Sequence, residues 1–65
     1  MRVFRVSAAD HGWQLSGLGE PTFFRSGGRA ETAARRLAIA AARSGEAVEL
    51  QVFDRGGTLA AQLRF

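Results

Sequence analysis

The sequence predicts a small α+β domain in which one helix packs on one face of a small antiparallel sheet. Two observations lead to this fold class. Segments rich in β-branched and aromatic residues occur toward both ends of the chain, and a long run of alanine, leucine and arginine separates them. The predicted order is strand, strand, weak strand, helix, strand, strand, within a single domain over residues 1–65.

The N-terminal part of the chain predicts two strands and a weaker third. Residues 2–6 (RVFRV) have the composition of a strand, and residues 8–12 (AADHG) form a turn cluster. Residues 13–18 (WQLSGL) begin with alternating apolar and polar side chains, which is the pattern of a half-buried strand. Pro21 ends that strand or confines it to a sheet edge. Residues 22–24 (TFF) predict a short third strand or an extended connection.

The middle of the chain predicts one long helix. Residues 29–44 contain strong helix formers, Ser26 is a suitable N-cap, and Gly45 supplies the C-terminal stop. Glu31 is expected in the first turn, where a carboxylate complements the helix dipole. Helical periodicity predicts a stripe of small residues that faces the sheet. This stripe comprises Ala33, Ala34, Leu37, Ala40, Ala41 and Ser44.

The C-terminal part of the chain predicts a β-hairpin. Residues 47–53 (AVELQVF) and 58–65 (TLAAQLRF) both alternate between two faces, as strands do. The segment between them, residues 54–57 (DRGG), supplies glycines that tolerate the positive φ of a tight turn. Antiparallel pairing of all the strands is the economical sheet for this order of elements.

Composition limits the classes of function. The 65 residues include no cysteine, one histidine and six acidic residues, which provide no disulfide and no evident ligand set for a metal. The sequence shows neither a signal-peptide pattern nor an apolar run of about 20 residues, so we expect a cytoplasmic protein without a membrane partner. We expect no cofactor and no small-molecule substrate.

The residues do not predict an enzyme. His11 and Asp10 are two of the residue types of a catalytic triad, and Ser7 or Ser16 would supply the third. A triad requires fixed orientations within a cleft, and so small a single-sheet domain offers little cleft. We interpret His11 and Asp10 as turn residues in solvent. The segment SGGR has neither the spacing nor the Lys-Ser/Thr pair of a P-loop.

An interaction module is the function that we expect first. A domain of this size has a marginal core, and homodimerisation or binding to another protein is a common source of further stability. The candidate contact residues are Ile39, on the arginine side of the helix, and Phe53, which points away from its apolar strand neighbours. Extension of the sheet at an edge strand, or packing of a flat sheet face, would suit a homodimer.

Nucleic-acid binding is the alternative. All nine basic residues are arginine, which forms bidentate contacts to phosphate, although a GC-rich coding sequence would also favour arginine. The helix has almost no side chains suited to reading bases, so binding would be directed to the backbone and weakly sequence-specific. Any exposed phenylalanine would add base stacking. The arginine ridge that would contact the phosphates comprises Arg25, Arg29, Arg35, Arg36 and Arg43.

The helix entrance, residues 24–31 (FRSGGRAE), has a second interpretation. Gly27 and Gly28 allow an extended segment to turn sharply onto the sheet. Arg25 and Arg29 are not needed for that turn, and with the free amides of the two glycines they would form an anion site. The segment is therefore predicted to be a helix entrance, with anion binding as an additional expectation.

The motifs also resemble a known family. Residues 12–15 (GWQL) are similar to a Gly-Trp-x-Val motif, residues 34–38 (ARRLA) to Ala-Arg-x-Leu-Ala, and residues 49–59 (ELQVFDRGGTL) to a Glu-Leu-x-Val hairpin that turns at Arg-Asp-Gly. In this order they resemble domain-of-unknown-function family 2188, a widespread bacterial family of short proteins. The chain departs from that pattern at Gly56, where the family usually has aspartate. The resemblance implies the strand, helix and hairpin order and carries no activity.

Overall fold

Five strands and one helix make up the described part of the chain. The computed structural model describes residues 1–17 and 19–65. In chain order the elements are β1 (Arg2–Ala9), β2 (Gly12–Ser16), β3 (Thr22–Phe24), α1 (Gly27–Arg43), β4 (Val48–Phe53) and β5 (Leu59–Arg64). The α+β class and the predicted order are confirmed, and residues 22–24 form a strand rather than an extended connection.

The strands form one sheet in the order β3-β2-β1-β4-β5. Three of its pairings are antiparallel as predicted, but β1 and β4 pair in parallel at the centre, with Phe4 opposite Leu50. The sheet is therefore mixed, which corrects the expectation of antiparallel pairing throughout. The cause is the route of the chain, because α1 carries it from the β3 edge across one face, and β4 then runs in the same direction as β1.

The first hairpin is tighter than predicted. β1 continues beyond residues 2–6 to Ala9, and Ala9 lies opposite Gly12 of β2. Only Asp10 and His11 remain for the turn. The longer strands extend the pairing of β1 with β2 toward the end of the sheet where α1 begins.

β2 ends at Ser16, two residues earlier than predicted. Gly17 has a φ of 126°, and a Cβ there would lie 2.5 Å from the carbonyl oxygen of Val3 and 2.9 Å from Cδ1 of Phe4. The chain therefore leaves the sheet at a position that only glycine accommodates. Residue 18, which the prediction also placed in this strand, lies outside the described residues.

α1 begins two residues earlier than predicted, at Gly27, and its caps are those expected. The Ser26 hydroxyl accepts a hydrogen bond from a first-turn amide at 3.2 Å, and Gly45 follows the helix with a φ of 97°. The earlier start moves Glu31 beyond the first turn, so its predicted role at the helix dipole was wrong. Instead Glu31 pairs with Arg35. No helix within the described residues is both long and apolar enough to cross a membrane.

The core lies between α1 and the sheet. Leucine, valine and phenylalanine side chains from the three central strands meet alanines of the helix, which allow the helix backbone to lie close to the sheet. The buried residues are Phe4, Val6, Leu15, Ala30, Ala34, Ala38, Val48 and Leu50.

The buried stripe of α1 is rotated relative to the prediction. Ala34 is buried as expected, and Ala33, Leu37 and Ala41 pack against the core, but Ala40 and Ser44 are exposed, and Ala30 and Ala38 are buried in their place. Packing at the helix start accounts for this rotation, since a Cβ at Gly27 would lie only 3.1 Å from the Trp13 indole. With Gly27 held against the sheet, the residues that follow it at intervals of three and four also face the sheet.

The second hairpin turns at residues 54–57, as predicted. The Asp54 carboxylate accepts hydrogen bonds from the amides of Gly56 and Thr58, each at 2.9 Å, and Gly57 has a φ of 88°. A register shift follows the turn and places Leu59 opposite Phe53. Strand alternation predicts that Leu59 and Leu63 share a face. Because of this irregularity, they lie on opposite faces of the sheet.

The sheet face opposite the helix is polar. Its most buried side chain, Glu49, is 6% exposed and accepts hydrogen bonds from Gln51 at 2.6 Å and Gln62 at 2.8 Å. Arg64 adds a longer bond at 3.3 Å. The bonds from Gln51, Gln62 and Arg64 lower the pKa of Glu49, whereas burial of the carboxylate opposes this shift. Arg5 donates to Gln51 at 3.0 Å, so one polar network joins β1, β4 and β5.

Candidate nucleic-acid interface

The outer surface of α1 is the candidate site, because every member of the arginine ridge is exposed on it or beside its N-terminus. Arg25 lies in the connection between β3 and α1, and the other four arginines lie in the helix. The structure therefore brings four of the predicted phosphate-contacting residues onto α1 and places Arg25 just before the helix start.

Three of these arginines follow a single line along the helix. Arg29, Arg36 and Arg43 recur at intervals of seven residues, which is close to two helical turns. Successive members therefore lie about 10 Å apart along the axis, and the line is about 21 Å long. The buried Ala34 and Ala38 are on the opposite side of the helix, so this arginine row faces away from the sheet.

The arginine row carries unneutralised charge. Arg35 forms an ion pair with Glu31 at 2.8 Å, one helical turn away. Within the described residues, no carboxylate lies at salt-bridge distance from the arginine row or from Arg25. Four exposed guanidinium groups are thus available to an external anion.

Charge is unevenly distributed along the chain. Residues 25–43 carry five of the nine arginines and one of the six acidic residues, a net charge of +4. The remainder carries four arginines and five acidic residues, a net charge of −1. The helix segment therefore accounts for all of the protein's excess positive charge, and such a concentrated field attracts polyanions.

A shallow depression lies on this surface between Arg29 and Arg36. Small residues line it, including Gly28 and Thr32. A Cβ at Gly28 would meet no atom within 4 Å, so the backbone there is open to solvent. Gly27, in contrast, packs against Trp13. Anion binding by the amides of both glycines stays a prediction.

A separate groove of about 480 Å³ lies at the β1–β2 turn, beside β3. Its lining includes the turn residues Asp10 and His11 and the aromatic residues Trp13 and Phe23. Phe23 lies opposite Gln14 on the polar face of the sheet and is 64% exposed. The groove therefore combines one solvent-facing ring with several polar groups.

Trp13 connects this groove to the helix start and to the second hairpin. Its indole contacts the first residue of α1, Gly27. The guanidinium carbon of Arg55 lies 5.3 Å from its ring centroid, which is a cation–π distance. A further positive charge is thereby held at the Trp13 ring, on the helix side of the sheet.

The two candidate protein-contact residues do not share a surface. Ile39 is 40% exposed on the outer side of α1. Phe53 is half-buried at the end of β4, and strand alternation places it on the sheet face opposite the helix. A single flat partner could not contact both residues at once.

The candidate triad residues are not assembled into a catalytic site. Asp10 and His11 line the groove, whereas Ser16 is at the other end of β2. Among the described residues, no hydrogen bond joins His11 to Asp10, Ser7 or Ser16. The described chain also contains no group of three or more histidine, aspartate or glutamate residues placed to hold a metal ion.

Two surface features were not predicted from the sequence. The interval of seven residues that aligns Arg29, Arg36 and Arg43 can be read from the sequence, but the predicted ridge did not separate this row from Arg35. The exposure of Phe23 was not predictable, because it follows from the pairing of Phe23 with Gln14 on the solvent face of β2, and the sequence does not reveal that pairing.

The fold and this surface together define a small α+β domain with a basic helical face. Comparison with protein-family models, with curated proteins and with solved structures finds no match to this chain. The resemblance to domain-of-unknown-function family 2188 stays a prediction.

Proposed function

We propose that the protein binds nucleic acid through the outer surface of α1, with contacts to the phosphate backbone and weak dependence on sequence. The observation that carries this proposal is the arginine row together with Arg25, four exposed arginines without acidic partners in the described part of the chain. The net charge of +4 over residues 25–43 favours this function over the protein-interaction module that composition led us to expect.

The geometry supports backbone contacts rather than base recognition. A row about 21 Å long matches about six nucleotide steps of duplex, since each strand rises about 3.4 Å per nucleotide. The helix contains no asparagine, glutamine or lysine that could read base edges. The small side chains between Arg29 and Arg36 leave room for phosphate groups to approach the helix.

Salt dependence gives the sharpest test of this proposal. If four arginines each neutralise one phosphate, the logarithm of the association constant should fall with the logarithm of salt concentration with a slope of about −3.6. Affinity for a labelled 16-base-pair duplex, measured by fluorescence anisotropy, should therefore drop about 150-fold between 50 and 200 mM salt. A slope near zero would contradict the proposal.

Charge-neutralising variants locate the surface. Arg36→Gln should weaken duplex binding and reduce the magnitude of the slope by about 0.9. Arg5→Gln is the matched control, because it removes the same charge from the opposite face of the sheet, where Arg5 bonds to Gln51. Equal losses of affinity in the two variants would show that net charge alone attracts the duplex and would rule out the arginine row as the binding surface.

The edge of the sheet supports homodimerisation as a second candidate function. β5 is an edge strand, and the exposed side chains of Leu59 and Phe65 flank its two ends. The outer N–H and C=O groups of such a strand pair readily with a second strand. We propose that two copies join along β5 and extend the sheet.

The backbone amide of Gln62 allows a test for a dimer that forms by pairing of β5 strands. The Phe65 amide donates to Val48 of β4, so alternation directs the Gln62 amide toward the free edge. Gln62→Pro should abolish dimers in light scattering across a dilution series. Gln62→Ala, which loses the same bond to Glu49 but keeps the amide, should leave them intact. A wild-type protein that stays monomeric at high concentration would exclude the dimer.

A further inference from the structure

We propose that the groove at the β1–β2 turn binds unstacked bases of a single-stranded nucleic acid, with the strand leading from the arginine row into the groove. This inference rests on the proposed function, because the row supplies the attraction for the backbone. It adds a site and a class of ligand, since only a strand with unpaired bases can fill the groove.

The aromatic lining provides the surface for stacking. Phe23 exposes 64% of its area although it lies within a strand, and the neighbouring Phe24 is half-buried on the helix side. Stacking of a base on an exposed ring needs no particular sequence, because every base has a flat face. Phe23 is thus suited to a ligand that the arginine row binds without sequence preference.

The groove adjoins the start of the arginine row. Gly12 lines the groove, and a Cβ at this position would lie 3.5 Å from the Cα of Arg25. Trp13, also in the lining, contacts Gly27 at the beginning of α1. A strand that follows the row toward the helix N-terminus therefore reaches Arg25, and it must then pass around the end of the sheet to meet Phe23 on the face opposite the helix.

The polar groups of the groove favour a base over a phosphate. The carboxylate of Asp10 would repel a phosphate, but it can accept hydrogen bonds from the N–H groups of bases. The amide of Gln14, opposite Phe23, can both donate and accept. Phosphates of the same strand would lie toward Arg25 and the arginine row.

Intrinsic fluorescence can report on this site directly. Trp13 is the sole tryptophan of the chain and borders the groove, with its indole on the helix side of the sheet against Gly27. The probes are a 12-nucleotide DNA, an RNA of the same sequence and the corresponding 12-base-pair DNA duplex. Both single strands should quench Trp13 on binding, and the duplex should bind with little quenching. A difference between the DNA and RNA arms would identify the strand that the site prefers.

Substitution of Phe23 tests the stacking contact. Phe23→Ala should weaken single-strand binding about 5- to 150-fold and change duplex binding less than about twofold. Phe23→Tyr retains an aromatic ring and should restore single-strand affinity. Thermal melting of each variant verifies that it remains folded.

The results separate this inference from the proposed function. If Phe23→Ala leaves single-strand affinity unchanged, or weakens single strand and duplex equally, the base-binding groove is wrong. Duplex binding that still depends on Arg36 would leave the proposed function standing in either case. If neither single strand nor duplex binds the wild-type protein, both proposals fail.

Discussion

At the scale of single residues, glycines mark the places where backbone segments approach each other closely. A Cβ at Gly17 would lie 2.5 Å from the Val3 carbonyl oxygen, and the φ of 126° disfavours any other residue. Gly28, in the first turn of α1, would meet no atom within 4 Å. The same residue type is therefore required at one position and merely tolerated at the other.

Alanine substitutions at these two glycines should have opposite effects. Gly17→Ala should lower the free energy of unfolding by at least about 2 kcal/mol, because the new methyl group meets backbone atoms in a strained conformation. Gly28→Ala should raise it by about 0.5–1 kcal/mol, because alanine has less freedom to lose in a helix. Urea denaturation followed by circular dichroism measures both. A stable Gly17→Ala variant would contradict the close approach to Val3.

Glu49 should make the stability depend on pH in acid. Its folded pKa lies below the ordinary value of 4.5, chiefly because Gln51 and Gln62 donate hydrogen bonds to the carboxylate. The unfolded chain therefore binds a proton first as pH falls, and this contribution to stability is present above the unfolded pKa and is lost as pH falls through the folded pKa.

Thermal melting between pH 7 and pH 3 tests this effect. Glu49→Gln should reduce the loss of Tm on acidification relative to the wild-type protein, whatever its stability at pH 7. Glu20→Gln, which removes an exposed carboxylate, should keep the wild-type pH dependence. Equal profiles for all three proteins would show that the hydrogen bonds to Glu49 do not stabilise its charged form.

At the scale of elements, the ends of α1 are set by residues close in sequence, whereas its rotation on the sheet is set by contacts with residues distant in sequence. The Ser26 cap and the Gly45 stop follow from side-chain chemistry within a few residues, and both were predicted from the sequence. The face that α1 buries was predicted only in part, because the contact of Gly27 with Trp13 joins residues 14 positions apart. Caps are local features, whereas the rotation of a helix depends on the surface beneath it.

The Ser26 cap should contribute measurably to stability. Ser26→Ala removes the oxygen that accepts the Arg29 amide and should lower the free energy of unfolding by about 1 kcal/mol. Ser26→Asp keeps an acceptor at the cap and should retain most of the stability. Chemical denaturation of the three proteins provides the comparison. Equal losses in the alanine and aspartate variants would exclude the capping bond as the cause.

At the scale of the whole molecule, α1 lies between the apolar core and the solvent. Its inner side completes a single layer of core against the sheet, and its outer side carries the positive charge. The core is built on β1 and β4, whose parallel pairing joins residues far apart in the chain. A domain of this size has about 3–10 kcal/mol of stability, so loss of one central side chain should remove much of it.

Two leucines distinguish the core from the edge of the sheet. Leu50 is fully buried in β4, and Leu50→Ala should cost about 2–5 kcal/mol, enough to unfold much of the population. Leu59 is 45% exposed in β5, and Leu59→Ala should cost about 0.5 kcal/mol or less. Calorimetry or near-ultraviolet circular dichroism measures the difference. Similar costs for the two substitutions would contradict the single-layer core.

The candidate site, like the buried face of α1, was predictable from the sequence only in part. The exposure of the four arginines of the ridge that lie in α1 was predicted from the sequence, because charged side chains opposite a small-residue stripe lie outside. The sequence did not show that Arg35 is neutralised whereas the arginine row is not, since the ion pair of Arg35 with Glu31 depends on side-chain placement. The groove around Phe23 was missed, because two strands and a turn must be paired before it exists.

The sequence by itself determined the elements of this protein. Composition and alternation marked the strands, alanine and leucine with a serine cap and a glycine stop marked the helix, and a turn with two glycines marked the second hairpin. Tertiary structure alone decided the parallel pairing of β1 with β4, the buried face of α1 and the exposure of Phe23. The physical reason is that periodicity reports which face of an element is apolar, whereas the choice of neighbour depends on contacts between distant parts of the chain.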